Sequence, residues 1–216
     1  KVSYTYSELV KLSSSVGTAL SELITSGDAV GVYMEKCADA VAAFFAAVYA
    51  GGFYSVLNTE PPQNRLQTTV SVLNPRVIVT SESLLETAKE YFSERKIVTF
   101  EALAKSEPDY ARLGEIRNHK IDTDPLYINF TSGSTGTPKG IVVCHRSVID
   151  FIDHFTEIFG IDNNDVIANQ APFDFDVSVK DIYSAVKTGA TLVVVPRRMF
   201  SAPAELIDFI CDRRVT

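Results

Sequence analysis

The chain has no basic block. Its 20 lysines and arginines are outnumbered by 27 aspartates and glutamates, and the formal net charge is −7. That balance argues against nucleic acid or an anionic membrane as a partner. Cysteine is scarce as well. Cys37, Cys144 and Cys211 lie far apart and form no C-x-x-C pair. Neither a disulfide framework nor a thiolate metal cluster is expected, and free thiols in a reducing cytoplasm fit best. His119, His145 and His154 have no metal-ligand spacing, so no metal site is assigned. No apolar run reaches membrane-spanning length. The longest, AVAAFFAAVYAGG over residues 40–52, reads as a buried helix. Nothing at the start reads as a secretory signal.

What is present is ordinary globular material. Hydrophobic residues make up 46% and charged residues 22% of 216 positions, enough for a sizeable core and too apolar for disorder. Leu9, Leu12, Val16, Leu20 and Leu23 recur at helical spacing, with Thr5 or Ser7 available as a cap. A short apolar strand over 29–34 follows, then the Ala-rich helix from Ala38, stopped by Gly51 and Gly52. FYSVLN, RVIVTS and KIVTF read as further strands, separated by helices from Pro61-Pro62 to about Leu73 and over LLETAKEYF. Residues 105–124 are polar without a period and read as a surface connection. PLYINFT and IVVCH are strands on either side of a loop, and a helix from about Arg146 to Phe159 follows. DVIANQ, DVSVKDIYSAVK, ATLVVVP and PAELIDFICDRR then read as strand, helix, strand, helix. The alternation predicts an α/β fold with mixed, largely parallel sheets flanked by helices.

The loop between the two central strands carries the chemistry. Glycines let backbone N–H groups turn toward an anion, hydroxyls add donors, and a lysine adds charge. Gly133 and Gly136 with Ser132, Ser134, Thr135 and Thr137 supply the first two, and Lys139 the third. Between Asp124 and Asp150 this acidic chain has no Asp or Glu, as an anion site requires. The pattern is neither G-x-x-x-x-G-K-[ST] nor G-x-G-x-x-G. Composition alone leaves an unliganded Gly/Ser/Thr hairpin equally open.

Phe130 to Gly140, FTSGSTGTPKG, resembles the phosphate-binding signature of adenylate-forming (AMP-binding) enzymes at all eleven positions. That superfamily includes acyl-CoA synthetases, luciferases, aryl-acid ligases and the adenylation domains of nonribosomal peptide synthetases. YTYSEL and AVYAGGFYSVLNTEPPQNRL resemble further segments, although Asn58-Thr59-Glu60 stands where an Asp-Pro pair is common. By this resemblance Thr131, Ser132, Gly133, Ser134, Thr135, Gly136 and Lys139 bind the phosphates of ATP. Mg²⁺ accompanies the nucleotide.

FDFDVSVKDIY, residues 173–183, resembles the substrate-wall element of amino-acid-activating members. The resemblance implies that Asp176 binds the substrate's α-ammonium, that Phe175 packs beside it, and that Val177 and Lys180 face the side-chain pocket. A buried ammonium needs a carboxylate. The competing reading is a surface helix capped by Asp176, with an Asp176–Lys180 pair at i,i+4 spacing. Lys180 suggests an acidic substrate side chain, unless it points away or binds Asp181. Aryl-acid and fatty-acyl ligases have no use for Asp176, which favours amino acids, and D-alanine–carrier-protein ligases are a close variant.

The resemblance implies amino acid activation to an aminoacyl-adenylate, then transfer to the phosphopantetheine thiol of a carrier protein domain. It further implies that residues 1–216 are the truncated N-terminal part of the large domain. A later subdomain and a small C-terminal domain, with the family's catalytic lysine, would be absent. No catalytic residue is therefore assigned, and the piece alone is expected to be inactive. The alternatives are an acyl-CoA or aryl-acid ligase, and a degenerate, non-catalytic scaffold.

Overall fold

A computed structural model describes residues 2–131 and 137–216. The chain divides into two compact units, Lys1–His145 and Arg146–Thr216.

In the first unit, helix α1 (Tyr6–Ser21) opens with a reciprocal cap. The Thr5 hydroxyl accepts the Glu8 N–H, and the Glu8 carboxylate accepts the Thr5 N–H at 2.7 Å. Of the two expected caps, Thr5 is the one used. Helix α2 (Ala38–Tyr49) is almost wholly enclosed, which is why its sequence is alanine-rich and nearly free of charge. It ends where Gly51 takes a positive φ of 87°, and a Cβ on Gly52 would lie 2.7 Å from the Asp28 carbonyl oxygen.

Strands β1 (Ala29–Tyr33), β2 (Phe53–Val56), β3 (Val77–Thr80), β4 (Ile97–Thr99), β5 (Pro125–Thr131) and β6 (Lys139–Cys144) form one sheet in the order β4-β3-β1-β2-β5-β6. All neighbours are parallel except β5 and β6. The inner strands β1 and β3 are buried at every position. Covered on both faces, they read as continuous apolar runs rather than alternating ones. Helices α3 (Gln63–Leu73) and α4 (Leu85–Tyr91) connect strands, and Leu66, Val70, Leu73 and Ala88 share a core with Tyr33, Leu57, Ile78 and Phe92. Tyr33 meets Phe92 edge-on with ring centroids 5.3 Å apart.

The expected surface connection over 105–124 is in part a helix. After α5 (Phe100–Leu103), helix α6 (Tyr110–Asn118) is capped by Asp109, whose carboxylate accepts the Arg112 N–H at 2.9 Å. Only Leu113 of α6 is buried, so no apolar stripe marked it in the sequence. The Asp109 cap was the readable signal.

In the second unit, α7 (His145–Phe159) buries Val148, Ile152 and Thr156. Strands β7 (Val166–Asn169) and β8 (Thr191–Val194) pair in parallel, with α8 (Val177–Thr188) as the crossover. Lys187 at the end of α8 ties it to α7, reaching Asp153 at 2.6 Å and the Thr156 hydroxyl at 3.0 Å. Gly189 closes α8 in the left-handed conformation. Helix α9 (Pro203–Asp212) completes the unit, with Phe209 packing on Val195 and Met199. No described helix is long and apolar enough to cross a membrane.

Candidate active site

The expected site residues fall on two elements, one in each unit.

On the first element, the β5–β6 hairpin places Thr131 directly opposite Lys139 in an antiparallel register. Both are exposed. Ser132, Gly133, Ser134, Thr135 and Gly136 lie outside the described residues. The paired ends of β5 and β6 therefore bring one hydroxyl and one ammonium side by side. The stretch contains no carboxylate to neutralise Lys139 locally. That is favourable ground for phosphate.

His145, the first residue of α7, does not add to this charge. Burial, then the nearby Lys120 ammonium, pushes its pKa below the ordinary value, against the opposing pull of Asp124 and Asp122. It is neutral near pH 7. Its backbone N–H is held by the Asp124 carbonyl at 3.2 Å, which fits a helix-start role. Asp124 in turn accepts the Ile121 N–H and pairs with Lys120 at 3.1 Å, and these hold its carboxyl below the usual range. Sequence reasoning missed Asn129. Its buried side-chain nitrogen has no hydrogen-bond partner among the described residues, a condition usually relieved by water or a ligand.

On the second element, the chain enters α8 through a tight turn. Phe175 N–H bonds the Pro172 carbonyl, and the buried Ser178 hydroxyl bonds the Phe175 carbonyl at 2.7 Å. Phe173 and Ser178 are buried. The three residues just before Ser178 are turned outward: Phe175 is 57% exposed, Val177 is 49% exposed, and Asp176 is exposed.

Asp176 occupies the N-cap position of α8, but its side chain makes no capping hydrogen bond. Lys180 pairs with Asp181 at 2.6 Å and not with Asp176. Neither interaction of the surface-helix reading is formed. Among the described residues no hydrogen bond or ion pair engages the Asp176 carboxylate. It is an acceptor with unused capacity at the positive end of a helix.

Lys180 is differently placed. Its ammonium touches Asp181 and lies 5.9 Å from the centre of the Phe155 ring. Asp181 is buried and also accepts from the Asn169 side chain at 3.0 Å. Asn169 was not anticipated; the only signal was an amide closing an apolar strand. No group of three or more His, Cys, Asp or Glu able to hold a metal ion occurs among the described residues.

The sequence profile of the AMP-binding enzyme family matches residues 1–216. The chain belongs to the AMP-binding enzyme family. Among curated relatives, nonribosomal peptide synthetase 13 of Aspergillus fumigatus is 32% identical over 205 residues, 93% of this chain and 9% of that protein. Indigoidine synthase of Streptomyces lavendulae is 30% identical over an aligned length of 217 residues, 98% of this chain and 17% of that protein. Among solved structures, the nonribosomal peptide synthetase FmoA3 with α-methyl-L-serine-AMP bound superimposes with a TM-score of 0.86 at 25% identity, covering 100% of this chain and 23% of that one. The chain thus spans a small part of the relatives it matches. The mixed, largely parallel α/β fold is that of the N-terminal part of adenylate-forming enzymes.

Proposed function

We propose that this chain is the N-terminal part of an amino-acid adenylation domain. In the first half-reaction a substrate carboxylate oxygen attacks the α-phosphorus of ATP. The bond from that phosphorus to the bridging oxygen breaks, pyrophosphate leaves, and an aminoacyl-adenylate remains. In the second, the phosphopantetheine thiol of a carrier protein domain attacks the acyl carbon and AMP departs. Thr131, Ser132, Gly133, Ser134, Thr135, Gly136 and Lys139 bind the phosphates of ATP, and Ser134, Thr135 and Lys139 among them hold the ones that depart. Mg²⁺ supplies charge neutralisation on the triphosphate when bound. Asp176 anchors the amino acid's ammonium, with Phe175 and Val177 beside it. The chemistry is mostly positioning and charge stabilisation.

The observation that carries this reading is the uncommitted Asp176 carboxylate on a turn anchored by Phe173 and Ser178. An acyl or aryl acid offers it no cation. Amino-acid-dependent ATP–pyrophosphate exchange by the protein carrying this chain tests the proposal. Exchange with some amino acid, lost in Asp176→Ala, is expected. Exchange with fatty or aryl acids only would mean another ligase, and none with any acid would mean a scaffold. Residues 1–216 alone are expected to give no exchange.

A further inference from the structure

The β5–β6 hairpin joins the rest of its sheet at a narrow junction. Strands β1 and β2 pair over four residues, β1 and β3 over four, and β3 and β4 over three. Among the described residues, β2 and β5 pair at Tyr54 and Tyr127 alone. One step further along both strands, a side chain takes over. The hydroxyl of Ser55, a residue with no exposed surface, donates to the Ile128 carbonyl at 2.9 Å. Ile128 is gripped on other sides as well. With Phe130 it packs against the core that contains Tyr33, Leu57, Leu66 and Ile78. A Cβ on Gly140 of β6 would stand 3.1 Å from Ile128 Cγ2 and 3.3 Å from the Phe130 ring, so the hairpin closes tightly on both side chains. Ile128 lies three residues before Thr131, which stands opposite Lys139.

We propose that Ser55 is a positioning residue for nucleotide binding. Its hydroxyl continues the β2–β5 junction where the backbone ladder stops, and so fixes where the hairpin presents Thr131 and Lys139 to the phosphates of ATP. Ser55 acts through Ile128 and touches no nucleotide. A carbonyl left without its donor in the interior is costly, and a shift of the strand relieves it. Without the tie the hairpin keeps its apolar face and the Tyr54–Tyr127 stack, with ring centroids 5.8 Å apart. The protein therefore stays folded while the end of the hairpin moves, and displacements of about 1 Å are felt in binding and rate. The nucleotide half of this inference rests on the adenylation reading; the hairpin half stands on geometry alone.

The test has two arms on the protein carrying this chain. In pyrophosphate exchange with an accepted amino acid, Ser55→Ala should raise the KM for ATP about fivefold and leave the KM for the amino acid unchanged. Ser55→Thr and Ser55→Val have the same shape, so crowding at this buried position is common to both and their difference reads the hydroxyl. Ser55→Thr should keep a KM for ATP about fivefold below that of Ser55→Val. An unchanged KM for ATP in Ser55→Ala, equal rises for ATP and the amino acid, or equal values in Ser55→Thr and Ser55→Val would overturn the proposal. If no acid supports exchange, the adenylation reading fails, and the second arm still decides the hairpin. There, amide hydrogen exchange is compared with and without Ser55→Ala. Protection should fall about tenfold over residues 126–131 and 139–144 and stay unchanged in β1 and β3. Unchanged protection, or an even loss throughout the sheet, would refute the tie.

Discussion

The two units hold their strands in opposite ways. In the first, β1 and β3 are buried throughout, and Val30, Val77, Ile78 and Val79 have no exposed surface at all. In the second, most positions of β7 and β8 are only half-buried, and polar ties do much of the joining: Lys187 to Asp153, Asn169 to Asp181, Lys180 to Asp181. Apolar burial contributes roughly 25 cal/mol per Å² and does not depend on direction. Charge-assisted hydrogen bonds contribute less on balance but fix geometry. The first unit is therefore a scaffold that tolerates sequence variation of like volume. The second holds its outward turn through specific partners.

The largest effect should come from breaking the scaffold. Ile78→Ala should cost about 4 kcal/mol of stability, since it opens a cavity in a sheet covered on both faces. Ile167→Ala, half-buried in β7, should cost less than about 2 kcal/mol. Denaturant unfolding compares the two, and equal losses would erase the contrast between the units. Next in size, Asp176→Asn should lower amino acid kcat/KM by about a hundredfold, or roughly 2.7 kcal/mol, while leaving the melting temperature unchanged. That combination follows because the carboxylate has no partner among the described residues. A fall in melting temperature would return Asp176 to a capping role.

Smaller effects sharpen the picture on the first unit. Lys139→Ala should raise the KM for ATP about tenfold with little change in stability, because the side chain is exposed beside Thr131. Thr5→Ala should remove about 1 kcal/mol by deleting the reciprocal cap. The smallest signal concerns pH. Folding lowers the His145 pKa, so the unfolded chain binds the extra proton first as pH falls through about 6.5. Its contribution to stability is present above that value and fades as pH drops toward the folded value. His145→Gln should flatten the stability–pH curve in that window. An unchanged slope there would assign it to other groups.

Legibility in the sequence followed the size of each element's buried face. The strands that became β1 and β3 were readable because burial on both sides demands unbroken apolar runs. Helix α6 was not, because Leu113 alone is buried and one residue has no period. The hairpin was legible as chemistry through its eleven-residue resemblance to a phosphate-binding signature, since composition alone left an unliganded Gly/Ser/Thr hairpin equally open. Its pairing of Thr131 with Lys139 followed once β5 and β6 were joined antiparallel. Asn129 was invisible, because nothing local says whether a strand amide will find a partner.

The chain's own order of residues was sufficient to settle the α/β alternation and the AMP-binding family. These depend on local period and on a contiguous motif. Which carboxylate Lys180 neutralises was beyond it. Asp176 stands four residues before the lysine, a spacing at which helical side chains meet, and Asp181 is its immediate neighbour, a spacing at which they do not face each other, so local geometry alone favoured Asp176. The choice fell to packing: Asn169, brought from β7 to the side of α8, holds Asp181 in the interior, where a carboxylate needs its counter-ion, and leaves Asp176 outside with none.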